Sequence, residues 1–368
     1  MPRILFIAQH RPDRSPSQRF RFEQYLEFLQ SRGYDYDFSY LISQADDKVF
    51  YAPGNLFRKA FIFIKSAFKR IVDLTHISRY DIVFVQREAF MTGSSWFEKR
   101  FSKSKARLVF DFDDAIWNHD VSEGNKSFAW LKDASKTERI IAYSDLVIAG
   151  NRYLFDYASR FNSNVLIIPT TIDTDEYKPT DVNKSGNSVV IGWSGSITTI
   201  KHFELAVPFL RTLKSKFGSR IEIRVIGDGS YRNEELGIVG KPWTKQTELH
   251  DLSSFDIGIM PIPDDDWSKG KCGLKGLQYM ALAIPAVMSP VGVNSEIIQH
   301  GSNGYLASTD EEWVKCISSL IDDADSRKSM GLAARQTVID KYSVHSQKEN
   351  YLKAFEGMLA QPKNPKSK

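Results

Sequence analysis

Residues 269–293, KGKCGLKGLQYMALAIPAVMSPVGV, place lysines and glycines just before an apolar helical pattern. The spacing predicts a loop through Gly273, a helix over Leu274–Ala283 and then a short buried strand. The first turn of a helix presents unpaired backbone N–H groups and a positive dipole end, which suit a phosphate. Glycine lets the backbone approach such an anion closely, and Lys271 and Lys275 add positive charge. The stretch therefore predicts an anion site, with an ordinary helix start in an α/β fold as the alternative.

Strands and helices must alternate on both sides of this stretch to position it. Buried strands are predicted over Arg3–Ala8, Asp81–Gln86 and Arg107–Phe112, and the alternation restarts at Val189. The chain has 368 residues, which fits two domains better than one. We therefore predict the α/β class. A dinucleotide-binding enzyme is disfavoured, because no complete Gly-x-Gly-x-x-Gly follows the first strand with an acidic residue about twenty positions on.

Composition and charge exclude several classes of function. Apolar residues make up 42% and charged residues 26%, as in soluble globular proteins, and no apolar run is long enough to span a bilayer. The formal charge of +4 is mild and no basic cluster interleaves with aromatics, so nucleic acid is not an expected partner. Cys272 and Cys316 show neither metal-ligand nor disulfide spacing, which indicates a cytoplasmic protein.

The segment after the first strand, QHRPDRSPSQRFR, is rich in cations and precedes a helix predicted over Gln18–Gln30. Loops at the carboxyl ends of strands open toward the ligand crevice of an α/β sheet. Arginine in such a loop can grip a phosphate or carboxylate bidentately. We predict that His10, Arg19 and Arg21 border a ligand site in this crevice, with a solvated basic loop as the alternative.

A pair of carboxylates follows the predicted strand Arg107–Phe112, in the sequence DFDDAIW. Asp113 and Asp114 lie at the end of a strand, where a carboxylate can orient or deprotonate a substrate group, and they are our catalytic candidates. Helix capping is the alternative for Asp114. The Asp-x-Asp pattern also suggests a metal, but no histidine or further acid lies at metal-ligand spacing within the motif.

Residues 56–72, LFRKAFIFIKSAFKRIV, form an amphipathic helical pattern. Bulky apolar side chains bordered by basic ones are typical of helices that lie in a membrane interface. Packing of the apolar stripe on the sheet is the alternative. The apolar positions are Phe57, Phe61, Ile64 and Phe68, and the basic positions are Arg58, Lys65 and Lys69.

Residues 269–293 resemble the donor-site segment of GT-B glycosyltransferases, specifically the retaining family four, the glycosyl transferases group 1. In that family a glycine-containing loop opens a helix that ends in an acidic residue, a Met-Ala pair, a small residue and Pro-Val-Val. The resemblance extends over nearly the whole chain, and its motifs are specific in combination. The matching residues are Gly273, Gln278, Met280, Ala281, Ala283, Pro285 and Val287.

The resemblance implies two Rossmann-like, doubly wound parallel-sheet domains that face a central cleft. The acceptor would bind to the first domain and the nucleotide sugar to the second. His10, Arg19 and Arg21 would then lie on the acceptor side, and Asp113 or Asp114 would orient or deprotonate the acceptor hydroxyl. The predicted parts are an acceptor-side domain over 1–178, a linker over 179–188, a nucleotide-sugar-binding domain over 189–341, a helix over 342–360 that crosses back to the first domain, and a disordered basic tail over 361–368.

The resemblance also assigns donor-binding roles. Gly195 matches the glycine before the family's diphosphate-binding arginine and lysine, which are Ser196 and Lys201 in this chain. Lys201 would neutralise the leaving diphosphate, with a solvent-facing lysine as the alternative. Trp243 would stack on the nucleobase or pack in the core. The predicted donor-binding set is completed by Lys271, Gly273, Leu274, Lys275 and Gln278.

Two positions depart from the family pattern. The family's first glutamate is Gly270 here, and its helix acid is Gln278, which can hydrogen-bond ribose hydroxyls without a charge. The sugar contact would then pass to Asp265, Asp266 or Lys271.

The sequence thus predicts a metal-independent, hexosyltransferase-type enzyme without a cofactor. It would move a sugar from a nucleotide-diphosphate sugar to an acceptor hydroxyl, with retention, in bacterial surface polysaccharide or glycan assembly. Asp113 takes the place of a histidine that the family often has near the reacting sugar. Residues 56–72 would hold the enzyme peripherally on the anionic inner face of the plasma membrane, near a lipid-linked glycan acceptor. A degenerate GT-B subunit that acts as a non-catalytic binding or scaffold protein is the alternative.

Overall fold

Two compact units make up the chain, Met1–Pro169 together with Lys348–Lys368, and Thr170–Gln347. Each unit is built on its own six-stranded sheet, so the α/β class is confirmed. Most of the predicted linker over 179–188 and of the predicted tail over 361–368 lies outside the part of the chain that the structure describes. The structure, a computed structural model, describes residues 1–52, 54–118, 133–180 and 188–363.

The sheet of the first unit is parallel throughout. Its strands are β1 (Arg3–His10), β2 (Asp35–Ile42), β3 (Ile82–Gln86), β4 (Arg107–Phe112), β5 (Leu146–Ala149) and β6 (Val165–Ile167). They lie in the order β2-β1-β3-β4-β5-β6. Every residue of β3 and β4 is buried, as expected for parallel strands covered on both faces. The strand order reverses at β1, and ligands bind beyond the carboxyl ends of strands at such a point.

The helices of the first unit include one correction to the sequence prediction. The continuous helix predicted over Gln18–Gln30 is wrong, because the backbone leaves helical geometry at Phe20, with a ψ of 3°, and at Phe22, with a φ of −130°. A short 3-10 turn at Glu23–Tyr25 separates two helices instead. The helices are α1 (Pro16–Arg19), α2 (Leu26–Ser31), α3 (Gln44–Tyr51), α4 (Leu56–Thr75), α5 (Trp96–Ser102), α6 (Ser135–Tyr143) and α7 (Arg152–Ala158).

Helix α4 leaves its predicted apolar stripe in solvent. Phe57 is 94% exposed, and Phe61, Ile64 and Phe68 are each about two-thirds exposed. The opposite face of α4 is buried and includes Ile62. Packing of the stripe on the sheet, the alternative that the sequence left open, is therefore wrong.

The second unit repeats the parallel architecture. Its strands are β7 (Val189–Ser194), β8 (Ile221–Gly227), β9 (Arg232–Asn233), β10 (Ile238–Val239), β11 (Lys241–Pro242), β12 (Ile257–Met260), β13 (Ala286–Met288) and β14 (Gly304–Leu306). The parallel sheet has the order β11-β8-β7-β12-β13-β14, and β9 and β10 form a separate antiparallel pair. The order reverses at β7, so the loops after β7 and β12 border the expected ligand position.

Helices of the second unit pack on this sheet, with the rings of Phe209 and Trp313 stacked 4.7 Å apart in the core. They are α8 (Ile200–Phe203), α9 (Val207–Phe217), α10 (Lys245–Ser253), α11 (Asp266–Lys269), α12 (Leu274–Ala281), α13 (Asn294–Ile297), α14 (Asp310–Asp322) and α15 (Ala324–Thr337). The last helix is α16 (Val344–Ala360). In the described residues, no helix combines the length and apolar character needed to cross a membrane.

Candidate functional site

The chain leaves β7 through a turn that requires glycine. A Cβ atom at Gly195 would lie 2.2 Å from the ring of Trp193. A Cβ atom at Gly227, which ends β8 with a φ of +137°, would lie 2.2 Å from the carbonyl oxygen of Gly195. The backbones of Gly195 and Gly227 therefore lie close together at the carboxyl edge of the second sheet.

Ser196 and Lys201 follow this turn. Ser196 opens a 3-10 turn over Ile197–Thr199, and a capping box joins the side chains of Ser196 and Thr199 to each other's backbone N–H groups. The Ser196 hydroxyl is therefore part of the local turn. Helix α8 begins next and carries Lys201, whose side chain is exposed.

The predicted helix start lies in the same unit. Gly273 is the N-cap of α12 with a φ of +69°, and a Cβ atom there would lie 2.4 Å from Ile297 Cδ1. Glycine is thus required by both backbone conformation and space. Among the described residues no side chain caps α12, so the N–H groups of its first turn, from Leu274 onward, can serve a ligand or water.

Three lysines, Lys201, Lys271 and Lys275, surround two tryptophan rings, and we call them the lysine cluster. Their ammonium groups lie 5.0 Å (Lys201) and 3.6 Å (Lys271) from the ring centroid of Trp267, and 5.7 Å (Lys275) from that of Trp193. Aromatic faces attract cations, so these contacts hold the three lysine side chains beside the rings of Trp193 and Trp267. Sequence reasoning missed Trp267, although it directly follows Asp266, one of the residues predicted to contact the sugar.

The three aspartates at 264–266 interact with neighbouring residues of the same loop and helix. Asp265 caps α11 by accepting the backbone N–H of Ser268 at 2.7 Å. Lys269 Nζ lies 3.3 Å from Asp264 and 3.9 Å from Asp266. Of the three residues predicted to replace the family's sugar-binding glutamate, only Lys271 lies in the lysine cluster.

Gln278 and Trp243 belong to a network around the buried carboxylate of Glu248. Glu248 Oε1 accepts from Trp243 Nε1 at 3.0 Å and from Gln278 Nε2 at 3.1 Å. Gln278 Nε2 also donates to the hydroxyl of Tyr177 at 3.2 Å, and that hydroxyl donates to Glu248 Oε2 at 2.8 Å. Both amide hydrogens of Gln278 are thus engaged within the second unit, and its contact with a ribose stays a prediction. Stacking of a nucleobase on Trp243 stays a prediction.

Arg21, predicted on the acceptor side, is part of the core of the first unit. Its fully buried guanidinium donates to Asp111 at 2.5 Å through Nη2, and to the carbonyl oxygen of Ile168 at 2.5 Å through Nη1. The hydroxyl of Tyr351 donates to the carbonyl oxygen of Arg21 at 2.7 Å. Burial raises the pKa of Asp111, and the charge of Arg21 opposes this shift. The acceptor role predicted for Arg21 is therefore wrong.

His10 and Arg19 differ in their positions. His10 ends β1, and its Nε2 lies 3.0 Å from the hydroxyl of Tyr51. Burial and then the charge of Arg14 lower the pKa of His10 to about 4, so the imidazole is neutral at physiological pH. Arg19 is buried, with its guanidinium 4.9 Å from the ring centroid of the adjacent Phe20. The acceptor role of both residues stays a prediction.

Asp113 and Asp114 lie beyond β4 beside Arg87, which follows β3. Arg87 Nε donates to Asp113 at 2.8 Å, and Nη2 lies 3.7 Å from Asp114. Arg87 has a φ of +62°, which costs a non-glycine residue on the order of 1 kcal/mol or more. Sequence reasoning did not single out Arg87, although a lone arginine directly after a buried strand was a visible signal. Its strained backbone brings a cation to the candidate catalytic carboxylate.

Most of the second unit is similar to a known protein family. Residues 188–323 match the family described as Glycosyl transferases group 1. This unit carries a group 1 glycosyltransferase domain. The glycine turn, α12 and the lysine cluster all lie within the matched residues, so the predicted resemblance is confirmed for this part of the chain. No protein with a curated function matches the sequence.

Solved structures share the fold over nearly the whole chain. The sucrose-phosphate synthase from Thermosynechococcus elongatus has a TM-score of 0.71 at 13% identity, over 98% of this chain and 100% of that one. HepE from Anabaena in complex with UDP and glucose has a TM-score of 0.69 at 14% identity, over 97% and 100%. The catalytic domain of starch synthase IV from Arabidopsis thaliana, bound to ADP and acarbose, has a TM-score of 0.65 at 11% identity, over 98% and 99%. The fold is GT-B, as predicted.

The group 1 domain and the GT-B fold together make the protein a nucleotide-sugar glycosyltransferase. Its group 1 domain places backbone N–H groups and three ammonium groups at the carboxyl edge of a parallel sheet. Such an arrangement can bind and stabilise a phosphate anion. In the described part of the chain, no group of three or more His, Cys, Asp and Glu side chains could hold a metal ion.

Proposed function

We propose that this glycosyltransferase moves a sugar from a nucleotide-diphosphate sugar to an acceptor hydroxyl with retention and without a metal ion, in bacterial surface polysaccharide assembly. The lysine cluster beside the start of α12 carries the proposal. The bond from the sugar to the diphosphate breaks as negative charge gathers on the leaving group. Preorganised donors aimed at that charge lower the barrier.

Each part of the donor site has a role in this reaction. Backbone N–H groups at Gly273 and Leu274 would bind phosphate oxygens at the helix start. Lys201, Lys271 and Lys275 would neutralise the departing diphosphate, which is the task that a divalent cation performs in metal-dependent transferases. Two of these lysines already lie against the ring of Trp267, so the site needs little reorganisation to present them.

In the first unit, Asp113 would orient the acceptor hydroxyl or accept its proton. Its ion pair with Arg87 fixes the carboxylate at the carboxyl edge of the first sheet. A fixed carboxylate can hold a hydroxyl in line for attack, and such positioning contributes more to the rate than intrinsic basicity alone.

A ligand screen tests the donor site. UDP, GDP, ADP and their common sugar conjugates would be compared by thermal shift, since a ligand that binds only the native state raises the melting temperature. We expect one nucleotide to bind, and Lys201→Ala to weaken its binding about tenfold or more. Lys328→Ala, which changes an exposed lysine of the same unit, serves as the matched control.

The outcomes separate the active enzyme from its alternative. Binding followed by transfer or donor hydrolysis supports the proposal. Binding without either reaction, under all acceptors and conditions tested, favours the degenerate, non-catalytic subunit. A wild-type protein whose melting temperature no nucleotide raises contradicts the donor site itself.

The acceptor would be a lipid-linked glycan, reached through α4. The exposed stripe on α4 is a contiguous apolar surface of a kind that monomeric soluble proteins rarely expose. It consists of Phe57, Phe61, Ile64 and Phe68. Burying it in an anionic interface gains transfer free energy, and each nearby basic residue adds about 1 kcal/mol. The exposed Arg58 at the start of α4 would face the headgroups.

Liposome flotation tests this surface. We expect the protein to float with vesicles of phosphatidylglycerol and phosphatidylcholine at low salt, and to be released at high salt. The double variant Phe57→Ser/Phe61→Ser should stay with the soluble fraction while keeping its melting temperature. Val239→Ser, which changes a 69% exposed side chain of the second unit, should float like the wild type. Wild-type protein that fails to float at low salt would point to a soluble acceptor.

A further inference from the structure

The side chain of His202 in α8 is buried without an evident structural reason. It is 3% exposed, and its Nδ1 has no hydrogen-bond partner among the described residues. Buried polar atoms in folded proteins are almost always paired, and an unpaired one costs about 1–3 kcal/mol. An orphaned nitrogen at this position therefore indicates a partner that the chain does not supply.

The surroundings of His202 define the charge of that partner. Its ring lies edge-on to Trp267 at 5.8 Å, the same ring that carries Lys201 and Lys271. Burial first, and then the charges of Lys271, Lys275 and Lys201, lower the pKa of His202 to about 4, while Asp265 acts in the opposite direction. The three ammonium groups around this neutral imidazole repel cations and attract anions, so the electrostatics favour an anionic ligand.

We propose that His202 is a ligand of the donor's diphosphate, with Nδ1–H donating to a phosphate oxygen inside the lysine cluster. This inference rests on the proposed function, since it deepens the description of the same donor site. His202 would add a buried hydrogen-bond donor to the three ammonium groups of the lysine cluster.

Binding of a diphosphate should change the pKa of His202. A bound diphosphate places negative charge beside His202 and offsets the repulsion from the lysines, so the pKa of His202 rises on binding. The bound state then takes up protons relative to the empty state, and binding tightens as the pH falls through the raised pKa. This gain is lost at neutral pH, where His202 is uncharged in both states.

The experiment is isothermal titration calorimetry with a probe whose own charge stays constant. UDP-glucose, GDP-mannose and ADP-glucose are diphosphate diesters, and the one that raises the melting temperature most is used. If binding raises the pKa of His202 by about two units, affinity should be about fourfold higher at pH 5.5 than at pH 7.5. Repeating the titration at pH 5.5 in buffers of different ionisation enthalpy measures the protons taken up.

Two substitutions and a control isolate His202. His202→Gln keeps a hydrogen-bond donor without a titrating group, so it should bind at pH 7.5 but lose the pH dependence and the proton uptake. His202→Leu should weaken binding about tenfold or more at pH 7.5. His250→Gln changes an exposed histidine of the same unit and should retain the wild-type pH profile. Circular dichroism and melting temperature confirm that each variant is folded.

The results distinguish a failure of the role proposed for His202 from a failure of the proposed donor site. A probe that binds wild type and both His202 variants with equal affinity and equal pH dependence overturns the role of His202 and leaves the donor site standing. Absence of binding by all three probes to the wild type overturns both. Loss of proton uptake in His202→Gln, with binding retained, is the result that the proposal requires.

Discussion

Substitution of Arg21 by methionine separates a structural role from an acceptor-binding role. Methionine keeps much of the volume and removes the charge, so Asp111 is left buried beside an apolar chain. Both side chains of the pair have no exposed surface. Breaking a buried ion pair by removing one partner costs about 3–5 kcal/mol. The carbonyl oxygen of Ile168 loses its donor as well. We expect the first unit of Arg21→Met to be destabilised by about this amount.

Hydrogen exchange measured by mass spectrometry assigns the loss to one unit. A destabilisation of about 3 kcal/mol raises the opening equilibrium more than a hundredfold, so peptides from β1 and β4 should exchange faster while those from β7 and β12 stay unchanged. Arg32→Met is the matched control, because Arg32 forms an exposed pair with Glu349 in the same unit. Exposed pairs contribute about 1 kcal/mol or less.

The pH dependence of this variant gives a second readout. Burial raises the pKa of Asp111, and without Arg21 nothing of equal strength opposes that shift. A carboxyl whose folded-state pKa lies above its unfolded value destabilises the fold once the pH exceeds the folded pKa, and the penalty fades as the pH falls through it. The deficit of Arg21→Met should therefore be smaller at pH 5 than at pH 7.5.

A compensating substitution tests the cause. Arg21→Met/Asp111→Leu removes both charges and should recover most of the lost stability, since replacing a buried pair by apolar residues is often neutral. If Arg21→Met leaves exchange in β1 and β4 as in the wild type and lowers only the rate of sugar transfer, the pair is not structural and Arg21 belongs to the acceptor site.

Three further predictions concern the reaction. Asp113→Asn should leave folding and donor binding intact while transfer falls about a hundredfold or more, and wild-type transfer by a folded variant would remove Asp113 from the chemistry. Gly227→Ala places a Cβ 2.2 Å from the carbonyl oxygen of Gly195 at a φ of +137°, so it should lower both the melting temperature and the nucleotide affinity; a variant that matches the wild type in both would show that the turn can relax. EDTA should leave turnover unchanged, whereas activity lost to EDTA and restored by magnesium or manganese would contradict the metal-free reaction.

The sheet could be predicted from the sequence because parallel strands buried on both faces read as continuous apolar runs. Strand β4 has the predicted bounds, and α12 begins at the predicted Leu274. Gly195 and Gly273 also indicate tight backbone geometry, since a Cβ atom at either position would lie too close to neighbouring atoms. These features are local, so a single stretch of sequence contains their physical cause.

The remaining features depend on partners that are distant along the chain. Arg21 reads as a surface cation until Asp111, ninety positions away, is found beside it. The hydrogen bonds of Gln278 to Tyr177 and Glu248, 101 and 30 positions away, are likewise not visible in its local sequence. The role of Arg87 depends on a left-handed backbone that residue type does not indicate. Charged residues become buried only when paired, and pairing across a fold leaves no periodic pattern.

The departures from the family pattern are consistent with a working donor site rather than a decayed one. The family's arginine is Ser196 here, its first glutamate is Gly270 and its helix acid is Gln278, so one positive and two negative charges are lost. Lys271, adjacent to the missing glutamate, lies 3.6 Å from the ring that also holds Lys201. Positive charge is thereby concentrated in the loop before α12, close to where its N–H groups emerge. A site free of selection would have no reason to keep three cations together around a buried histidine, because their mutual repulsion only costs stability unless an anion offsets it.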